Sequence, residues 1–107
     1  MTKIMIIGAH GATARLVTKR LLNESKLDLV LFLRDADRLQ QYANNSRVTL
    51  VDGNVLDTST LVTAMKGVDL VYSNAGGTNL ADQTQSILAA MAHADQHRLI
   101  FMSAIGA

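Results

Sequence analysis

The 107-residue chain has the length of one domain, and 49% apolar against 18% charged residues is typical of a globular protein rather than a disordered tail. A formal net charge of +1 is too small to favour nucleic acid or an anionic membrane as partner, and the absence of cysteine excludes disulfides and thiolate metal sites. No apolar run approaches the roughly 18 residues of a membrane span, and the first run meets Gly8 too early for a signal peptide, so a cytoplasmic protein is expected.

Five short apolar runs recur along the chain. Each is nearly continuous rather than alternating, as expected of strands buried on both faces of a parallel sheet. In chain order they are Ile4–Ile7, Leu29–Leu33, Val48–Val51, Val68–Tyr72 and Leu99–Met102. They predict five β-strands.

The stretches between these runs have helical features. Within Ala12–Leu22, Ala14, Val17 and Leu21 share one helical face. The acids that begin at Asp35 suit the first turn of a short helix. Asp57–Ser59 offers several N-caps for a helix that runs to Lys66, with Gly67 in the position of a C-terminal glycine. A last helix is predicted from Leu80 to about His97.

The alternation of strands and helices predicts an α/β fold of the Rossmann type. It is a doubly wound parallel sheet of about five strands in the order 3-2-1-4-5, and residues 1–107 form one domain. In such a sheet a ligand lies in the crevice where the strand order reverses, between strands one and four.

A glycine-rich segment joins the first strand to the first helix. Gly8 permits a tight turn, Gly11 permits close approach of a diphosphate, and Ala14 keeps the helix near the strand. The rest of this predicted cofactor-binding segment comprises His10, Ala12 and Thr13. A tight turn without a ligand is the alternative, and for His10 a packing or exposed role is favoured over a catalytic one.

The end of the second strand carries two arginines. Arg34 leaves the strand at the adenosine-ribose position, and Arg38 follows one helical turn later. Two guanidinium groups around a 2′-phosphate make strong charge-assisted hydrogen bonds, so the pair favours NADP(H) over NAD(H). Pairing of Arg34 with Asp35 or Asp37 in solvent is the alternative, and Asp35 keeps NAD(H) open.

Five segments in the same order resemble the atypical short-chain dehydrogenases/reductases, the NmrA-like and flavin/biliverdin-IXβ-reductase-like NAD(P)H-binding proteins. They are Gly8–Ala14, Leu33–Leu39, Asp52–Asp57, Ser73–Gly77 and Met102–Gly106. The resemblance implies that Asn54 and Val55 flank the adenine. It further implies that Asn74, Ala75 and Gly76 line the nicotinamide-ribose side. By the same resemblance, Ser103 is the candidate catalytic residue beside the reacting ring.

The sequence departs from the family at several points. His10 replaces a common threonine, and Asn54 replaces the usual aspartate while still offering an amide oxygen. The Tyr-x-x-x-Lys pair is absent, because Tyr42 is followed by Ser46 and Tyr72 by Gly76. Finally, the chain stops at residue 107, where the family continues, so we expect a domain that is truncated relative to the family.

The leading functional hypothesis is an NADP(H)-dependent oxidoreductase that transfers hydride to a small conjugated acceptor such as a quinone or flavin. The alternatives are a non-catalytic redox-sensing module and an inactive remnant. No metal site is predicted, because the segment with His93 and His97 lacks the glutamate of the zinc-protease motif and falls at a predicted helix C-terminus, where histidine is favoured. Residues 99–102 would form an unguarded edge strand, so we expect that a second copy or another partner covers it, or that the chain is a fragment of a longer product.

Overall fold

The computed structural model describes residues 3–9, 12–24, 26–34, 36–73, 80–94 and 99–101. Its strands are β1 (Lys3–Ile7), β2 (Asp28–Leu33), β3 (Val48–Asp52), β4 (Leu70–Ser73) and β5 (Leu99–Phe101). Its α-helices are α1 (Ala12–Glu24), α2 (Thr58–Ala64) and α3 (Leu80–His93), and a 3-10 helix spans Ala36–Tyr42.

The strands form one parallel sheet in the order β3-β2-β1-β4-β5. The predicted Rossmann-type architecture and strand order are therefore confirmed. Parallel pairing brings the carboxyl ends of β1, β2, β3 and β4 to one edge of the sheet, where the loops that follow them can form a common site.

Two hydrophobic clusters cover the two faces of the sheet. On one face Met5 and Phe32 pack with Leu61 of α2 and Ile87 of α3. On the other face, Ile6 of β1 and Leu31 of β2 pack with Ala14 of α1 and Leu39 of the 3-10 helix. Consecutive residues of β1 and β2 are thus buried on opposite faces, which explains why their apolar runs are continuous.

The predicted bounds of the fourth strand were wrong. The strand was expected over Val68–Tyr72, whereas β4 spans Leu70–Ser73. Val68 is buried, but its backbone N–H donates to the Met65 carbonyl over 3.0 Å and belongs to the turn after α2. Burial in a turn gives the same apolar signal as burial in a strand, so the sequence placed the start too early.

Two predicted ends fall partly outside the described residues. The helix α3 ends at His93, and the Ala94 N–H still donates to the Ala90 carbonyl over 2.9 Å. Its predicted continuation over residues 95–97 and the last predicted strand residue, Met102, are not described. Within the described ranges, no helix has both the length and the apolar character needed to cross a bilayer.

Candidate functional site

The turn after β1 has the backbone shape that its glycine predicts. Gly8 adopts a φ of +74°, a left-handed conformation that a residue with a side chain rarely adopts. The N–H groups of Gly8 and Ala9 both donate to the Phe32 carbonyl of β2, over 2.9 and 3.3 Å. These two amides fix the turn to the neighbouring strand, so the amides available to an anion must lie further along the chain.

The first turn of α1 supplies such amides. The helix begins at Ala12, and the first N–H groups of an α-helix, here including those of Thr13 and Ala14, have no intrahelical acceptor. Ala14 is fully buried against the sheet, as the sequence predicts, and its carbonyl accepts a 2.8 Å hydrogen bond from the Thr18 hydroxyl. A helix start held close to the sheet is suited to bind phosphate. His10 and Gly11 lie outside the described residues.

The carboxyl end of β2 presents Arg34 to solvent. Arg34 directly follows Leu33, the last residue of β2, and its side chain is exposed. The second predicted phosphate ligand, Arg38, lies in the 3-10 helix, but its side chain and Asp35 are outside the described part of the chain. Convergence of the two guanidinium groups therefore stays a prediction.

The carboxyl end of β3 is tied to that of β2. The Gly53 N–H donates to the Leu33 carbonyl over 3.1 Å, which continues the ladder beyond the strand. A Cβ at Gly53 would lie 2.9 Å from Cζ of Phe32 and 3.0 Å from Cγ2 of Thr60. Since real Cβ atoms essentially never approach that closely, only glycine fits here without a shift of its neighbours.

After Gly53 the chain makes a tight turn into α2. The Leu56 N–H donates to the side-chain oxygen of Asn54 over 2.9 Å, and the Asp57 N–H donates to the Asn54 carbonyl over 2.9 Å. This is an Asx-type turn, in which an asparagine side chain imitates the backbone. One lone pair of the Asn54 amide oxygen, which the sequence offers to adenine, is therefore used by the turn.

Asp57 fixes the end of this turn as the N-cap of α2. Its carboxylate accepts hydrogen bonds from the Thr60 hydroxyl (2.8 Å) and the Ser59 hydroxyl (2.8 Å), as well as from the Thr60 backbone N–H (3.3 Å). The side-chain hydrogen bond from Thr60, then that from Ser59, lowers the pKa of Asp57. Asp57 has a structural role that anchors the turn carrying Asn54 and Val55.

The end of β4 lies beside the end of β1. The register pairs Ile7 with Ser73, so the chain leaves both strands at the same edge, where the strand order reverses. Asn74, Ala75, Gly76 and Ser103 lie outside the described residues, and their predicted contacts are not tested.

The structure adds two residues to the site that the sequence analysis did not single out. Position 53 requires glycine because a Cβ there would clash with the Phe32 ring. Leu56 projects from the turn with 43% of its surface exposed. A lone glycine directly after an apolar strand was the available signal for Gly53. No sequence pattern indicated the exposure of Leu56.

A groove of about 420 Å³ lies elsewhere on the molecule, partly beneath α2. Lys3, Val30, Thr49, Val51, Thr60, Thr63, Ala64 and Lys66 line it. It shares no residue with the predicted cofactor-binding set and is not part of the candidate site.

Comparison with known proteins gives a family match over nearly the whole chain. The model of a family described as NAD(P)H-binding matches residues 8–107. Eugenol synthase 1 of Petunia hybrida is 33% identical over 111 residues, which cover 98% of this chain and 36% of that protein. Phenylcoumaran benzylic ether reductase IRL1 of Ginkgo biloba is 34% identical over 94 residues, which cover 82% of this chain and 31% of that protein. The chain thus spans about a third of the length of these curated relatives.

Solved structures share the fold. A Rossmann-fold NAD(P)-binding family protein from Shigella flexneri superposes with a TM-score of 0.86 and 35% identity, over 94% of this chain and 51% of that one. A short-chain dehydrogenase/reductase from Veillonella parvula in complex with NADP superposes with a TM-score of 0.85 and 24% identity, over 94% of this chain and 46% of that one. The second likeness is one of fold alone.

Proposed function

This chain belongs to the NAD(P)H-binding family, and from that premise we propose that residues 1–107 form a domain that holds NADP(H) in preference to NAD(H) for hydride transfer. The observation that carries the proposal is the position of exposed Arg34 directly after β2, on the strand next to β1 and its glycine turn. In this fold the diphosphate lies at the first turn and the adenosine ribose at the end of the second strand.

The diphosphate would be held by the segment from Gly8 to Ala14. Gly8 shapes the turn, and the amides of the first turn of α1, those of Ala12, Thr13 and Ala14, supply donors and the positive end of the helix dipole. His10 and Gly11 complete the proposed phosphate cradle.

The 2′-phosphate would be bound by Arg34, with Arg38 as the second ligand. Arginine binds phosphate through two parallel charge-assisted hydrogen bonds, and NAD(H) offers only a hydroxyl at that position. The difference in affinity between the two cofactors would therefore arise where Arg34 and Arg38 meet the 2′-phosphate.

The other ends of the cofactor would be held by the loops after β3 and β4. Asn54 and Val55 would flank the adenine, while Asn74, Ala75 and Gly76 would line the nicotinamide ribose. Ser103, after β5, is the proposed substrate-orienting residue beside the reacting ring.

When bound, the nicotinamide supplies hydride chemistry, and the protein contributes position and shielding. The names of relatives support a reductase, since one is a phenylcoumaran benzylic ether reductase and another an isoflavone reductase-like protein. A small conjugated acceptor of the quinone or flavin type is the proposed substrate class, and NADPH oxidation with a panel of quinones and flavins tests it.

The cofactor preference is tested by calorimetric titration of wild type and Arg34→Ala with NADPH and NADH. Because each charged hydrogen bond contributes about 1.5–3 kcal/mol, the variant should lose roughly 10- to 100-fold in NADPH affinity and little in NADH affinity. Arg20→Ala removes an exposed arginine on α1 and serves as the matched control. Equal affinities of wild type for both cofactors would overturn the preference.

A non-catalytic nucleotide-binding module is the second candidate function. The absence of a Tyr-x-x-x-Lys pair from these 107 residues favours it. Tight NADPH binding without oxidation by any acceptor would identify this second function, whereas turnover would exclude it.

The position of β5 supports a partner at the sheet edge. β5 pairs only with β4 within the described strands, so its outer backbone groups form a pairing template. We expect a second copy or another chain to cover it, and light scattering that finds a monomer at high concentration would count against this.

A further inference from the structure

The groove beneath α2 lies where the helix leaves part of the sheet uncovered. The helix spans only Thr58–Ala64, and on the strand beside it Val51 is half-buried and Thr49 is exposed. The volume of the groove, about 420 Å³, falls within the range of small-molecule sites, roughly 300–1,000 Å³. The groove therefore has room for a ligand of modest size.

The sheet side of the groove is elongated along the strands. Val30 pairs in register with Thr49, and Lys3 lies two positions before Met5, the residue of β1 that pairs with Val30. Val51 lies two positions after Thr49, so the lining extends over four strand positions, about 13 Å. The valines make this floor apolar, which suits a ligand with an extended aliphatic body.

Both lysines of the groove lie at the same end. Lys66 belongs to the turn after α2, and a Cβ built on Gly67 in that turn would lie 4.0 Å from Lys3 Nζ. Within the described ranges neither ammonium group makes an ion pair, and the described lining of the groove contains no acid. One end of an apolar groove thus carries positive charge.

Two carboxylates flank this end from outside the groove. Asp28 is the register partner of Lys3, and the Asp69 carboxylate accepts a hydrogen bond from the Lys3 backbone N–H over 2.8 Å. Their charges lower the positive potential at Lys3. Lys66 is therefore expected to contribute more than Lys3 to the attraction of an anion.

The hydroxyl groups of the groove differ in what they can offer. The Thr60 hydroxyl donates to the Asp57 carboxylate over 2.8 Å, and the Thr63 hydroxyl donates to the Ser59 carbonyl over 3.2 Å. The Thr49 hydroxyl has no partner among the described residues. The side-chain donors open to a ligand are thus the two ammonium groups and the Thr49 hydroxyl, and a carboxylate, which only accepts, complements them.

We propose that this groove binds a small amphipathic carboxylate. Its charged group lies at Lys3 and Lys66, and its aliphatic body lies along Val30 and Val51. Burial of the apolar body supplies most of the affinity, and the ammonium groups select the anion over a neutral or cationic analogue. The site shares no residue with the proposed cofactor-binding set, so the proposal stands independently of the proposed function.

The experiment titrates the ¹⁵N-labelled full chain with octanoate, octanamide and octylammonium, which share one body and differ in the head group. Octanoate should shift the amides of residues 49–51 and 60–66 saturably, with a dissociation constant on the order of 1 mM. Octanamide should bind roughly 3- to 10-fold more weakly, and octylammonium more weakly still. The difference between octanoate and octanamide should shrink in about 0.5 M KCl, because salt screens exposed charges.

A matched pair of variants tests the charged end. Lys66→Ala removes an exposed side chain of the groove, so it should weaken octanoate about 2- to 5-fold, the effect of an exposed ion pair, and leave octanamide unchanged. Lys19→Ala removes an exposed lysine of α1 and should change neither affinity.

Equal affinities of wild type for octanoate and octanamide overturn the proposal, as do octanoate shifts that avoid the groove residues. Equal octanoate affinities of Lys66→Ala and Lys19→Ala also overturn it. Competition between octanoate and NADPH would place the carboxylate in the cofactor site instead and contradict the proposal. The comparison of the three ligands uses wild type, so it decides the proposal even where a variant is unstable.

Discussion

Replacing Gly53 by alanine puts a methyl group where β3 turns toward α2. The new Cβ would lie 2.9 Å from Cζ of Phe32 and 3.0 Å from Cγ2 of Thr60. Phe32 is only 1% exposed and belongs to the cluster beneath α2, so its ring has little space to move. The substitution should therefore destabilise the fold at the border of the proposed adenine site.

The magnitude follows from two opposing effects. Overpacking a well-packed core costs about 1–3 kcal/mol. Gly53 is not among the glycines with positive φ, so alanine restores about 0.4–1 kcal/mol by restricting the unfolded chain. The clash prevails, with a net loss of roughly 1–2 kcal/mol and a fall in Tm of about 5–15 °C.

Urea unfolding followed by far-UV circular dichroism measures this loss. A Phe32→Leu background removes the ring atoms that the new methyl group meets, so the cost of Gly53→Ala should shrink there by about 1 kcal/mol. Gly67→Ala is the contrasting variant. Apart from its two chain neighbours, Lys3 Nζ at 4.0 Å is the one atom of the described residues that its added Cβ would approach, and its cost comes from a φ of +76°. A Gly53→Ala protein as stable as wild type, or an equal cost in both backgrounds, would refute the packing argument.

Three further predictions concern the same framework. Arg47→Ala loses hydrogen bonds of 3.1 and 3.3 Å to two main-chain carbonyls, so its unfolding free energy in urea should fall by about 1–2 kcal/mol, and Arg47→Lys should recover only part of it. The lowered pKa of Asp57 stabilises the fold above its unfolded pKa of about 3.9 and ceases to do so as pH falls through the folded value. The stability gap between wild type and Asp57→Asn should thus shrink on acidification, and a gap that is constant down to about pH 2 would contradict this. Because Ala14 is fully buried, Ala14→Leu should force α1 away from the sheet, costing roughly 1–3 kcal/mol by thermal unfolding and weakening NADPH binding; unchanged stability would contradict this.

The sheet order was predictable because burial on both faces leaves continuous apolar runs. The local backbone conformation at two positions was also predictable from the sequence. Gly8 has the positive φ that its turn requires, and Asp57 caps α2. These features depend on a few neighbouring residues, so the sequence contains the whole signal.

Features that depend on distant contacts were not predictable. Gly53 is required by Phe32, twenty-one positions earlier in the chain, and the turn after α2 buries Val68 as deeply as a strand would. The Asn54 oxygen was assigned to adenine from resemblance, whereas one of its lone pairs is used by the Leu56 N–H. Sequence identifies the residues at such a turn, but the direction of an amide follows from the folded backbone.

The central claim is that the turn after β1 and the backbone amides of the first turn of α1 hold a dinucleotide diphosphate. Titration of the ¹⁵N-labelled chain with NADPH, followed by amide chemical shifts, tests it most directly. The account predicts saturable shifts concentrated at residues 8–14, with further shifts at Arg34 and over residues 53–56. A folded protein whose amides at residues 8–14 stay unshifted at saturating NADPH and NADH would contradict it.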